Sequence, residues 1–382
     1  MKKNADRSFV LLFTALTLVI PVLIIALNFF QDPHHRYRSK VPTERLEELA
    51  KSPDKILTVP GTYDDRILLK RFMEVSPAPR ILVLGGSIAM DFQQEMFTER
   101  LLNAGVTAGS IQDFVAIWAL AEKNHFHPRM TIMVLAEYNL HPQSFNERYL
   151  SIYEDYLRFS QKGISLRAMF SEKTSQFKDL LSLQTTQSSL MGLFTHSKEQ
   201  TQDLVSRSGF DFALPARTLS FSMLYPKDYE ERTPKVTNPL GVAHGLGEAQ
   251  VFEKWNVQGG GLRFELLRQL IRRIQDQGSR VLILTMPYHP QAYAVIRENP
   301  KAYANFKNYL QAIRLIAAES GVDFYNQADS TSFWKEDEFT DGVHLKTAVI
   351  YRWIKAADQE FQLGIANDAF GKEPIYPKSA KR

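Results

Sequence analysis

The residues with the clearest capacity for chemistry are a serine that follows two glycines and a histidine that follows an aspartate. Ser87 ends the run Gly85-Gly86-Ser87, and Asp341 precedes His344 by three positions near the other end of the chain. A serine hydroxyl becomes a good nucleophile when a histidine takes its proton and a carboxylate orients that histidine. The sequence therefore predicts acyl transfer, with Ser87 as nucleophile, His344 as general base and Asp341 as the orienting carboxylate.

Each of these signals also has a structural interpretation. Ser87 could cap a helix, and His344 could be a surface loop histidine. Taken together the residues favour catalysis, because the serine follows the first predicted strand and the Asp-x-x-His pair precedes the last predicted helix. The glycines before Ser87 also allow a sharp turn that directs backbone N–H groups at an oxyanion.

Short apolar runs alternate with amphipathic segments along the chain, and this pattern predicts an α/β fold with a mainly parallel sheet. Strands are expected at 80–84, 130–135, 280–284 and 322–325, with a looser strand and turn near 105–109. Helices are expected at 43–51, 64–75, 110–123, 301–319 and 346–361. Ligands of such sheets bind beyond the carboxyl ends of the strands.

Three polar side chains come directly after predicted strands and so belong to that edge: Ser87, Asn139 and His289. We predict His289 and its neighbour Tyr288 as substrate contacts. Pro290 leaves open a second role for His289, in a structural turn.

Composition excludes several classes of site. The 382 residues include no cysteine, so a disulfide scaffold, a thiolate nucleophile and cysteine-ligated metals are excluded. The net charge of +4 does not indicate a nucleic-acid partner. His125 and His127 are interpreted as surface residues, and the glycine-rich stretch at 241–261 lacks the context of a dinucleotide fingerprint. We expect no metal and no cofactor.

The first thirty residues predict a membrane anchor. Phe9–Phe30 is a run of 22 residues without a charge, long enough to cross a bilayer as a helix. A cleavable signal peptide is disfavoured, because the run is long and bulky residues follow it. The basic residues Lys2, Lys3 and Arg7 favour a cytoplasmic N-terminus, with the bulk of the chain outside the cytoplasm.

The remaining chain divides by composition and periodicity. We expect a cytoplasmic tip and anchor at 1–31, a connector at 32–79, an α/β domain formed by 80–143 and 263–365, a helical and irregular insertion at 144–262, and a loose tail at 366–382.

Two segments between the serine and the Asp-x-x-His pair extend the set of motifs. The segment 103–109 has the pattern Asn-x-Gly-x-x-x-Gly, and Glu137-Tyr138-Asn139 places an asparagine after a predicted strand. With Ser87 first and Asp341 and His344 last, the chain resembles the SGNH (GDSL-like) hydrolases and acyltransferases over roughly residues 30–360. The resemblance implies a three-layer α/β/α domain with Ser87, Gly109 and Asn139 as oxyanion donors. Gly86 stands where that family usually has aspartate, and the third block lacks its glycine.

Within this superfamily the chain is most similar to membrane-anchored envelope members. Asp32-Pro33 after the apolar helix and the segment Pro287–Pro290 after the fourth strand fit that group. It includes the teichoic-acid D-alanine transfer protein and proteins of polysaccharide O-acetylation. The resemblance implies an O-acyltransferase or esterase on an envelope glycan, with a membrane-bound O-acyltransferase as partner. A non-catalytic assembly component and a simple extracytoplasmic esterase stay open as alternatives.

Overall fold

The structure of the protein is a computed structural model. The residues that it describes are 2–31, 41–52, 55–58, 64–141, 147–159, 181, 185–187, 189–190, 204–206, 216–218, 220, 223–224, 238–255, 257, 261–330, 334–340 and 344–370.

Helices and strands alternate through most of the described chain. The helices are α1 (Lys2–Gln31), α2 (Thr43–Lys51), α3 (Asp65–Val75), α4 (Ile111–Lys123), α5 (Glu137–Leu140), α6 (Tyr153–Phe159), α7 (Asn238–Lys254), α8 (Leu262–Asp276), α9 (Pro290–Glu298), α10 (Pro300–Ser320) and α11 (Thr347–Phe361). The strands are β1 (Lys55–Thr58), β2 (Ile81–Gly85), β3 (Leu101–Gly105), β4 (Met130–Leu135), β5 (Leu204–Ser206), β6 (Ala216–Arg217), β7 (Met223–Leu224), β8 (Arg280–Thr285) and β9 (Asp323–Asn326).

Five strands form the central sheet in the order β3-β2-β4-β8-β9, and every neighbouring pair is parallel. The predicted α/β class is confirmed, as are the strands expected from the apolar runs at 80–84, 130–135, 280–284 and 322–325. The edge strand β3 lies just before the turn predicted at 105–109. The sequence pattern did not show this strand clearly, because the polar residue Asn103 interrupts its apolar run at a fully buried position.

Side chains alternate between the two faces of the sheet, and each face has its own core. Along β2, Leu82 and Leu84 face one cluster with residues of α4, α8 and α10. Ile81 and Val83 face the other, which includes residues of α11. Helices therefore cover both faces, as expected when parallel strands are joined by crossover helices.

A second, small antiparallel sheet has the order β5-β1-β6-β7. It pairs β1, from the predicted connector, with strands from the predicted insertion. Helices α2 and α3 of the same connector bury Leu46, Leu68 and Phe72 in the core that contains Leu82. Residues 41–75 thus contribute directly to the folded body.

Helix α1 covers the apolar run that was predicted to cross a membrane, and Pro21 lies inside it. Near its end, the buried Asn28 side chain donates a hydrogen bond to Thr186 Oγ1 at 2.9 Å. Within the described ranges, no helix satisfies the length and hydropathy needed to span a bilayer. The membrane span over Phe9–Phe30 therefore has no support from the structure and stays a sequence-based prediction.

Candidate active site

Ser87 and His344 meet at the carboxyl end of the central sheet. The distance from Ser87 Oγ to His344 Nε2 is 3.1 Å, within the range of a hydrogen bond between a nucleophile and its base. Ser87 follows β2 directly, and His344 lies three residues before α11. Both side chains are partly exposed, so a substrate can reach them.

A short antiparallel bridge between Phe339 and Leu345 holds the backbone of His344. Inside it, the N–H and the hydroxyl of Thr340 donate to the His344 carbonyl at 2.8 and 3.1 Å. The Lys346 N–H donates to the Glu338 carbonyl at 2.9 Å. The histidine therefore sits on a constrained turn, which suits a base that must stay aligned with its nucleophile.

Ser87 begins a one-turn 3-10 helix, Ser87–Asp91, and Asn103 on the neighbouring strand fixes that helix. The Asn103 side-chain amide donates to the carbonyls of Ala89, Met90 and Phe92 at 2.6, 3.0 and 3.0 Å. Its oxygen accepts from the Gly105 N–H at 2.9 Å. Asn103 thus ties the nucleophile turn to the edge of the sheet.

Asp341, the predicted third member of the triad, lies outside the described residues. Its role in orienting His344 stays a prediction.

Gly109 lies in the turn that follows β3, packed against the end of β2. The Gly109 N–H donates to the Val106 carbonyl at 3.1 Å, within its own turn. A Cβ at this position would lie 2.8 Å from the Gly85 carbonyl oxygen. Close backbone packing therefore accounts for a glycine at this position, and its contact with an oxyanion stays a prediction.

Asn139 lies between the turns that follow β3 and β4. Its oxygen accepts from the Ala136 N–H at 2.6 Å, and its amide donates to the Gly109 carbonyl. The side chain is fully buried. Asn139 thus links two of the loops that the sequence assigned to the site. Its side-chain amide, which was predicted to bind the oxyanion, donates to the Gly109 carbonyl in this structure.

No protein-family model matches the chain, and no curated protein matches it. In the described ranges, no group of three or more histidine, aspartate or glutamate side chains could hold a metal ion.

Tyr138 is a site residue that sequence reasoning missed. A Cβ at Gly86 would lie 2.2 Å from the Tyr138 hydroxyl oxygen, so the phenol lies directly against the backbone that precedes Ser87. The Ser87 and Asn139 side chains are near enough to this hydroxyl to influence its pKa. The position of Tyr138, just after a strand and beside Asn139, was the available signal.

His289 and Tyr288 are both buried. His289 caps α9, where its Nδ1 accepts from the Gln291 N–H at 3.3 Å, and its ring packs edge-on against Phe339 at 5.2 Å. Tyr288 donates to the Glu137 carboxylate. These contacts favour the structural alternative for His289, and contact of the pair with substrate stays a prediction.

Two carboxyl groups and two phenols interact with one another next to the site: Glu137, Glu248, Tyr138 and Tyr288. Glu137 is almost fully buried and interacts with Glu248 of α7. Burial, and then the charge and hydrogen bond of Glu137, raise the pKa of Glu248 well above its ordinary value. Burial and the charge of Glu137 likewise raise the pKa of Tyr138 and of Tyr288. The two phenols therefore stay protonated across the working pH range.

Proposed function

We propose that the protein is a serine acyl-transfer enzyme, an O-acyltransferase or esterase of SGNH type. The observation that carries the proposal is the 3.1 Å contact between Ser87 Oγ and His344 Nε2. It joins residues from opposite ends of the domain at the sheet edge where α/β proteins bind ligands.

The first half of the reaction would acylate Ser87. His344 Nε2 takes the proton as Ser87 Oγ attacks the carbonyl carbon of an ester. The tetrahedral intermediate collapses when the C–O bond of the leaving alcohol breaks, and that alcohol receives the proton from His344. The product is an ester between the acyl group and Ser87.

The second half would return the enzyme to its starting state. A hydroxyl of water or of a sugar gives its proton to His344 and attacks the acyl-enzyme. Collapse releases the acid or the new sugar ester, and Ser87 recovers the proton. Asp341 would hold the imidazole in the required tautomer, and the Ser87 N–H would bind the oxyanion.

The acceptor and the location belong to the same proposal. We infer an envelope glycan as acceptor, a membrane-bound O-acyltransferase as partner, and an anchor formed by Phe9–Phe30 with the bulk of the chain outside the cytoplasm. This part is supported by the uncharged run of 22 residues and by the resemblance of the motifs.

The test uses the full-length chain in detergent, a fluorophosphonate probe and p-nitrophenyl acetate. Ser87→Ala should abolish labelling, and His344→Ala should lower labelling and turnover by at least about a hundredfold, since it removes the base. His127→Ala, which removes an exposed loop histidine, should match the wild type.

A folded wild-type protein that neither labels nor turns over would contradict the proposal and favour the non-catalytic alternative. Labelling that survives Ser87→Ala would place the nucleophile elsewhere.

A further inference from the structure

The Tyr138 hydroxyl packs very closely against the backbone of Gly86, just before the nucleophile Ser87. A Cβ built on Gly86 would be 2.2 Å from the Tyr138 oxygen and 3.0 Å from its Cε2 and Cζ atoms. Position 86 therefore tolerates only glycine while Tyr138 keeps this orientation. The glycine before the serine thus has a physical cause, which is the phenol of Tyr138 in α5.

The same hydroxyl lies near the nucleophile. Tyr138 Oη lies against the residue before Ser87, and the Ser87 and Asn139 side chains are near enough to influence the pKa of the phenol. The Gly109 N–H, the other predicted donor, is engaged with Val106. Tyr138 thus supplies an O–H next to the backbone that leads into Ser87.

The protonation state suits a donor. The phenol is desolvated, and the charges of Glu137 and Glu248 act on it in the same direction, so its pKa is raised. A neutral tyrosine can donate its proton into a hydrogen bond but cannot serve as a base at neutral pH. His344 therefore keeps the role of base, and Tyr138 is left with that of donor.

We propose that the Tyr138 hydroxyl is the side-chain donor of the oxyanion hole, and this assignment rests on the acyl-transfer function proposed above. In the resting enzyme the hydroxyl lies against Gly86, the residue before Ser87. When Oγ attacks the carbonyl carbon, the carbonyl oxygen gains negative charge and the Tyr138 O–H donates to it. The phenol keeps its proton throughout, so no proton leaves the Ser87–His344 pair by this route.

The decisive variant is Tyr138→Phe, which removes one oxygen atom and keeps the ring. Loss of one oxyanion donor typically lowers kcat by about 10²–10³-fold. We expect that loss for p-nitrophenyl acetate, with KM and the melting temperature close to wild type. Tyr309→Phe is the matched control, since it removes another buried phenol hydroxyl under the influence of Glu137.

Gly86→Ala supplies a second, independent readout. Its new methyl group should displace the phenol and lower kcat by a similar factor. In the Tyr138→Phe background the same change should add little, because the group that it displaces has already lost its hydroxyl.

The outcomes separate this assignment from the proposed function. The Tyr138 role would be overturned if the fluorophosphonate labels Ser87 and the kcat of Tyr138→Phe is within about threefold of wild type, because that change is far below the loss typical of an oxyanion donor. The serine enzyme would then be left intact. A wild type without labelling would overturn both. An equal loss in Tyr309→Phe would show a general packing effect and also overturn the assignment.

Discussion

Asn103 shows how one buried side chain can position a nucleophile without touching it. Its amide and carbonyl oxygen together satisfy four backbone groups on the Ser87 turn and at the end of β3. The residue is fully buried in an edge strand. Unmet hydrogen bonds at such a site are costly, because the freed carbonyls have no water to replace the lost donor.

Asn103→Ala should therefore reduce both stability and acylation. We expect a loss of about 1–3 kcal/mol in the free energy of unfolding, the usual penalty for unsatisfied buried groups. The rate of fluorophosphonate labelling should fall at the same time, because Ser87 is no longer held against His344. Denaturant titration and labelling kinetics measure the two effects.

Asn305→Ala is the control for this prediction. Its amide also donates to a backbone carbonyl, that of Phe252 at 2.8 Å, but on α10 and away from the Ser87 turn. It should cost stability and spare the labelling rate per folded molecule. Equal labelling rates in Asn103→Ala and the wild type would contradict the positioning role.

At the scale of elements, α7 and α5 meet through two carboxyl groups. Glu248 of α7 and Glu137 of α5 share a hydrogen bond in a desolvated setting, which raises the pKa of Glu248. The folded protein thus holds this proton more tightly than the unfolded chain. Stability must fall as pH rises from about 4.5, the ordinary carboxyl value, toward the raised pKa.

Glu248→Gln should remove this pH dependence. A glutamine amide can donate to Glu137 as a protonated carboxyl does, and it has no proton to lose. We expect the variant to match wild type at pH 4 and to unfold at a higher denaturant concentration at pH 8. The measurement is a series of denaturant titrations across that range.

Glu253→Gln, at an exposed position on the same helix, is the comparison. It should retain the wild-type pH profile. An unchanged profile in Glu248→Gln would show that another group carries the dependence.

At the scale of the whole molecule, buried ion pairs join the segments that the sequence divides. Arg66 of α3 pairs with Asp113 of α4 at 2.6 Å, and both are buried. Arg217 of β6 pairs with Asp65 at 2.6 Å, and Asp65 also binds the N–H and hydroxyl of Thr107. Although burial alone would raise the pKa of Asp65, Arg217 and Thr107 lower it. This network holds the loop that follows β3.

Arg66→Met should therefore destabilise the molecule by about 3–5 kcal/mol, because it leaves the Asp113 charge buried without its partner. Adding Asp113→Asn should recover part of that loss by removing the uncompensated charge. Lys51→Met, which removes an exposed pair with Glu47, should cost under about 1 kcal/mol. If the double variant proves less stable than Arg66→Met, the loss would come from packing and not from the buried charge.

Local sequence patterns predicted several strands and helices of this protein and two residues of its candidate site. The strands β2, β4 and β8 are short apolar runs, and α8 and α11 follow amphipathic periodicity, so each could be recognised without knowledge of its neighbours. The sequence also predicted Ser87 and His344 as partners, since a serine after the first strand and a histidine before the last helix reach the same edge of a parallel sheet.

Tertiary contacts decided the rest, because they join residues that no local pattern connects. Strand β1 forms only by pairing with strands of the distant insertion, and β3 buries an asparagine whose partners lie on another turn. The His289 ring packs against Phe339, which is distant in sequence. The contact of Tyr138 with Gly86 depends on how two strand ends meet, and sequence spacing carries no record of that distance.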